Sequence, residues 1–171
     1  MSTSTSPRLD RFVDSLDELD VPATRTGGEG FPAALSAAVE PPAVGVELPF
    51  KGVSLTDADA PIDVEPTARA AAEAACGVTA AEFAIADYGS VVLRSTTDGV
   101  EPVSLYGDHH VAVVRADDVL PDMNAAFDRL GDLLRDGESA VLATGPSATA
   151  DMGELVRGAH GPKSVHVILI R

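Results

Sequence analysis

The residues best equipped for chemistry crowd into the last third of the chain. Thr144-Gly145-Pro146-Ser147-Ala148-Thr149-Ala150-Asp151 is followed, a few residues on, by Gly158-Ala159-His160-Gly161-Pro162. Ser147 and Thr149 bring hydroxyls, Asp151 a carboxylate, and His160 an imidazole that can donate or accept a proton. The glycines and prolines around them mark turns. If Gly145-Pro146-Ser147 turns the chain from a strand into a helix, hydroxyls and amides at the helix start would hold a small phosphate or carboxylate. His160, placed just before Gly161-Pro162, would reach the same strand ends, for acid–base work or anion binding. A plainer reading uses the same residues. Asp151-x-x-Glu154 is a capping box, Ser147 and Thr149 can satisfy local amides, and His160 can be a hydrogen-bonded structural histidine. Asp151 would repel a neighbouring anion, so it fits better against a ligand hydroxyl or the loop itself. A Ser147–His160–Asp151 triad lacks the G-x-S-x-G elbow and is disfavoured.

The elements that must position these groups can be read from the apolar pattern. Residues 140–143 and 165–170 form unalternated apolar runs, the mark of buried strands, and residues 152–157 leave room for a short helix between them. Together they predict a βαβ unit with its ligand outside the carboxyl ends of the strands. Upstream, Leu9, Phe12, Val13, Leu16 and Leu19 share one helical face, and Pro22 ends that helix before an extended stretch over 23–26. Gly27 to Gly30 reads as a flexible link and 31–39 as a helix stopped by Pro41-Pro42. Residues 43–61 suit edge strands or loops. A helix is expected over 66–75, and another from Thr79, which heads a capping box with Glu82, through Ile85. Strands are expected at 91–94, 103–106 and 111–114. The clearest helix is 119–134, with Leu120, Met123, Phe127, Leu130 and Leu134 at helical spacing. Helices alternating with such strands predict an α/β fold of three layers, α/β/α, around a mainly parallel sheet. Residues 1–7 read as a flexible tail and 8–171 as a single domain.

Composition narrows the possibilities. The net charge is −15 and the lysines are Lys51 and Lys163, which argues against nucleic acid or an anionic membrane as partner. Aspartates dispersed along an Ala- and Val-rich chain read as adaptation to high intracellular salt, where at ~1 M the screening length falls to ~3 Å and self-repulsion fades. An ordinary acidic protein is the alternative. The start of the chain lacks the apolar region of a secretory signal, and no run approaches the ~20 apolar residues of a membrane span, so a cytoplasmic protein is expected. One cysteine, Cys76, leaves no ligand set for an iron–sulfur cluster or zinc and reads as a small buried residue. His109 and His110, adjacent in a strand, point to opposite faces and make a poor chelating pair. No metal and no cofactor is expected, and no nicotinamide or flavin fingerprint is present.

The run TGPSATAD…GELVRGAHGPKSVHVILI resembles the C-terminal signature of the lactate-utilisation protein C family, the LUD domain. Residues 77–93 resemble that family's central motif, so the resemblance covers roughly 77–171. It implies a fold similar to ribose-phosphate isomerases, glucosamine-phosphate deaminases and coenzyme A transferases. It also implies an accessory, non-redox part in oxidising lactate to pyruvate beside separate iron–sulfur subunits, with a small anion bound by Gly145, Pro146, Ser147, Thr149, Asp151, His160 and Gly161. Ala86-Asp87-Tyr88-Gly89-Ser90 resembles the family's Ala-acid-Thr-Gly-Thr/Ser loop, which adds Gly89 and Ser90 to the expected site. Tyr88 stands there where threonine is usual, and Gly153 stands where an acid is common. The alternatives are a stand-alone enzyme acting on a phosphosugar or acyl thioester, with His160 or Asp151 as acid or base, and a purely structural assembly factor.

Overall fold

A computed structural model of the chain describes residues 6–151, 154–158 and 160–171. Its centre is a six-stranded parallel sheet flanked by helices, in a mixed α/β arrangement. The strands are β1 (Ala23–Thr26), β2 (Ala43–Gly45), β3 (Ile62–Asp63), β4 (Cys76–Ala80), β7 (His109–Arg115) and β12 (Ser164–Ile170), in the order β1-β12-β7-β4-β2-β3. A second, four-stranded sheet was not foreseen. It runs β8 (Val119–Leu120), β5 (Phe83–Ile85), β6 (Ser90–Arg94), β9 (Ala140–Thr144). β10 (Ala148–Asp151) and β11 (Glu154–Arg157) form a separate antiparallel pair.

β7 is buried from His109 to Val114 because both its faces are covered, which is why its sequence does not alternate. On one face Val111 and Val113 pack with Phe31, Leu35 and Ala38 of helix α2 (Phe31–Ala38). On the other, Ala112 and Val114 join Leu9, Phe12 and Leu16 of α1 (Pro7–Glu18), Val100 and Val103 of α4 (Val100–Tyr106), and the inner side of the second sheet. α3 (Ala68–Glu73) adds Ala71 to this core, and Thr67 caps it by accepting from the Ala70 amide at 3.2 Å. α5 (Met123–Arg135) covers the outer side of the second sheet through Ala126 and Leu130, against Phe83, Ile85 and Val92.

Several expectations are corrected. Thr79 caps no helix: it lies in β4, residues 83–85 form β5, and between them the amides of Ala81 and Glu82 bond to the carbonyls of Val113 and Val92 at 2.8 Å each. Burial on both sides overrode the local capping pattern. Residues 103–106 lie on helix α4, where Val100, Val103 and Ser104 fall on one buried face. The long helix starts at Met123, not 119, because Val119–Leu120 pairs with β5 and Asp122 caps α5 through the Ala125 amide at 2.9 Å. Its buried stripe runs through Ala126 and Leu130, and Phe127 and Leu134 stay 64% and 61% exposed. β2 is an interior strand of the central sheet, and Gly28–Gly30 is one turn of 3-10 helix. Pro7 is the first residue of α1.

Candidate functional site

β9 ends in the predicted turn. It lies at the edge of the second sheet, antiparallel to β6, with Thr144 opposite Ser90 and their hydroxyls 2.7 Å apart. Gly145 adopts φ +67°, a left-handed conformation that suits glycine, and leaves the chain against Leu19 at the end of α1. No helix follows. The chain enters β10, and Glu154–Arg157, expected to be helical, is the strand β11; Met152 and Gly153 lie outside the described residues. Asp151 and Glu154 are therefore paired across two strands instead of capping a helix.

The two Gly-Pro segments are tied to each other. The Ser147 amide donates to the Pro162 carbonyl at 2.8 Å, the Gly158 amide to the Ser147 carbonyl at 2.9 Å, and the His160 amide to Ser147 Oγ at 3.3 Å. The amides of Lys163 and Ser164 donate to the Asp108 carbonyl, which joins the start of β12 to the start of β7. These bonds bear on how an anion would be held. The Ser147 amide is already spent within the protein, and the helix whose N-terminus would add its field is missing. His160 meets Ser147 Oγ through its backbone, so this contact gives no support to a triad.

A hollow nevertheless lies where these segments meet, with a volume of about 360 Å³. One wall is Val141 to Thr144 of β9 and the loop through Ala148; another is His160, Gly161 and Pro162; Ser104 and Leu105 of α4 close a side. His110 and Val165, second residues of β7 and β12, form its floor. The hollow sits at the amino ends of the central strands, opposite to expectation. The reason is that β9 belongs to the second sheet, so the loop after it falls beside the beginning of β12. In a chain of net charge −15, the described lining contains neither a carboxylate nor a lysine or arginine. Its polar groups are hydroxyls, backbone and two imidazoles.

Of the expected site residues, Gly145, Pro146, Ser147, His160 and Gly161 line the hollow. Ser90 is buried behind Thr144. Gly89, at φ +62°, is packed under α1, where a Cβ would come within 3.0 Å of the Ser15 carbonyl, so it serves the turn instead of the hollow. Asp87 pairs with Arg11 at 3.3 Å. Thr149 and Asp151 lie on β10.

His110 was missed, because a strand pattern says that neighbouring histidines part but not which of them meets a hollow. Its Nε2 lies 2.9 Å from Thr79 Oγ1, and burial, helped by the His109 charge, lowers its pKa to about 4. It is therefore a neutral imidazole at pH 7. His109 points the other way and uses both nitrogens, Nδ1 with Ser164 Oγ at 2.7 Å and Nε2 with the Ala38 carbonyl at 3.0 Å. The histidines do not form a chelating pair, and among the described residues no group of three or more His, Cys, Asp or Glu is placed to hold a metal ion. Cys76 is buried, and burial raises its thiol pKa, as suits an inert small residue.

The profile of the LUD domain matches residues 13–170. The chain belongs to the LUD domain family. This LUD domain protein is 30% identical over 172 residues to a lactate utilization protein C of Deinococcus radiodurans, covering 95% of the chain and 79% of that relative. It is 33% identical over 111 residues to a lactate utilization protein C of Bacillus subtilis, covering 62% of the chain and 46% of the relative. The chain thus spans about half the length of the Bacillus relative. A crystal structure of a DUF162 family protein from Deinococcus radiodurans superposes with a TM-score of 0.73 at 19% identity, covering 96% of each chain, and shows the same fold. Among the described residues of the LUD domain protein, no helix is long and apolar enough to cross a membrane.

Proposed function

We propose that this LUD domain protein is a non-redox, ligand-binding component of lactate utilisation, and that the hollow between residues 145–148 and 160–162 takes a small carboxylate. The observation that carries the reading is the hollow itself, built from both C-terminal Gly-Pro segments and free of acidic side chains in its described lining. The absence of carboxylates from the described lining matters because a like charge nearby would oppose an acid ligand. The relatives named lactate utilization protein C supply the substrate class. Recognition would come from side chains, chiefly the Ser147 hydroxyl and the exposed His160 ring, since the Ser147 amide is spent. Iron–sulfur subunits would carry the electrons as separate chains in the cytoplasm, and the acidic composition would suit molar salt.

Titration of the isolated protein with L-lactate and pyruvate, followed by NMR, tests the ligand. Both acids are expected to shift residues 145–148 and 160–162, with binding weakened about tenfold in Ser147→Ala, a typical value for one hydrogen bond to a charged group. Lack of any shift would remove the reading. Pull-down of Cys-rich iron–sulfur chains in molar KCl tests the partners, and a melting temperature that does not rise with KCl would remove the salt adaptation. Exposure of His160 at the mouth also keeps the enzymatic alternative in view. Turnover of a phosphosugar or acyl thioester by the isolated chain, abolished in a folded His160→Ala variant, would favour it.

A further inference from the structure

β9 is the outer strand of the second sheet, with β6 on its inner side. Four successive residues of it, Val141 to Thr144, line the hollow. Side chains alternate across a strand, so a single face would present every second residue and no more. All four border the same space because the strand's backbone edge faces it. On that edge the N–H and C=O groups not bonded to β6 point away from the sheet. Among the described residues, 140–144 make no backbone hydrogen bond beyond the ladder to β6. Sheets blunt such edges with short strands or charged residues. Among the described edges, β3 and β8 have two residues each, and the β10–β11 pair carries Asp151, Glu154 and Arg157. β1 carries Arg25, whose guanidinium donates to the Leu9 carbonyl and the Asp10 carboxylate at 2.9 Å each. β9, Ala140-Val141-Leu142-Ala143-Thr144, is five residues long and uncharged in a chain with 27 acidic residues.

We infer that the free edge of β9 is a docking slot for an extended segment of another polypeptide, which joins the second sheet as a fifth strand through main-chain hydrogen bonds. The chemistry of the slot defines the segment. It is short, because Gly145 at φ +67° turns the chain away and Pro146 has no N–H to offer, so pairing ends with β9. It is uncharged, because Leu93, Leu105 and Val165 beside the edge are apolar and the described lining holds no carboxylate, lysine or arginine to pair with a buried charge. It is a single extended chain. Residues 160–162 and α4 wall the hollow on its other sides, which bars the sheet edge of a second folded copy. The volume of about 360 Å³ is in the range that encloses a few residues. The inference stands apart from the carboxylate reading, since backbone groups of β9, not Ser147 and His160, hold this partner.

The probe is acetyl-Thr-Val-Thr-Val-Thr-amide, an uncharged peptide of strand-forming residues. Added to the full chain at millimolar concentration, it should slow hydrogen exchange at alternate amides within 140–144 by about tenfold or more, read by NMR, and leave the amides of the guarded edge β1 as they were. The same peptide N-methylated at every residue keeps its side chains, has no N–H along its chain, and should bind at least about tenfold more weakly. Because the ligand is altered and the protein is not, folding of a variant does not enter. Exchange in β9 that the peptide leaves unchanged, or equal protection by the two peptides, would overturn the inference. Lactate that binds while the peptide does not would overturn it and leave the carboxylate reading in place. A peptide that binds while both acids fail would support it and remove that reading.

Discussion

His109 and His110 are neighbours on one strand, and the two faces of the central sheet treat them in opposite ways. On the α2 face, His109 is enclosed and both nitrogens are consumed by Ser164 and Ala38. On the other face, α4 and the second sheet leave a hollow, and His110 meets it with one nitrogen tied to Thr79. Identical side chains one residue apart become a bracket between elements and part of a hollow's lining. The difference lies in what covers each face: one helix lies flat over the first, but a sheet whose edge strand turns away over the second cannot close it completely.

That contrast can be broken most severely at Gly77, opposite His110 in the register between β4 and β7. A Cβ there would stand 1.9 Å from the Val103 carbonyl oxygen of α4, so the helix must move. Gly77→Ala should cost roughly 3 kcal/mol or more in urea unfolding and deform the hollow's α4 side, whereas a loss below about 1 kcal/mol would mean that α4 slides without penalty. Acid comes next. His110 binds its proton near pH 4 in the folded protein against 6.5 ordinarily, so the unfolded chain holds the extra proton between those values. Stability is therefore full above pH 6.5, declines as pH falls towards 4, and loses no more from this group below it, by roughly 3 kcal/mol in all. His166, lowered by burial and then by the His109 charge, acts in the same direction. Folding stability of His110→Gln should fall less steeply across that window, and an unchanged slope would show that the carboxylates alone govern acid sensitivity.

Two smaller effects separate the two faces. His109→Ala strands the Ser164 hydroxyl and the Ala38 carbonyl, and should lower stability in urea unfolding by roughly 2 kcal/mol. Thr79→Val removes only the hydroxyl partnered with His110 Nε2 and should cost about 1 kcal/mol in the same measurement. Equal losses of stability from the two substitutions would erase the distinction between the faces.

Much of this was legible in the residue pattern. The apolar runs at 111–114 and 165–170, buried on both sides, announced β7 and β12, and the stripe through Leu9, Phe12 and Leu16 announced α1. Gly145-Pro146-Ser147 and His160-Gly161, turns recognisable from their glycines and prolines, border one hollow. The failures share one cause. Thr79 to Glu82 carries a capping box, and residues 103–106 carry a short apolar run, yet long-range burial decided both against the local preference.

The order of residues fixed the type of fold, the chemistry available and the turns that carry it, because periodicity and glycine or proline geometry act over a few neighbours. Only tertiary pairing decided where those turns land. β9 joins β6 through partners 54 residues apart, Ser90 and Thr144, and that choice takes it out of the central sheet and sets its loop at the amino ends of the strands. The same long-range packing left a space over His110 and none over His109, since a void is a property of how separate elements fail to meet and has no local sequence mark.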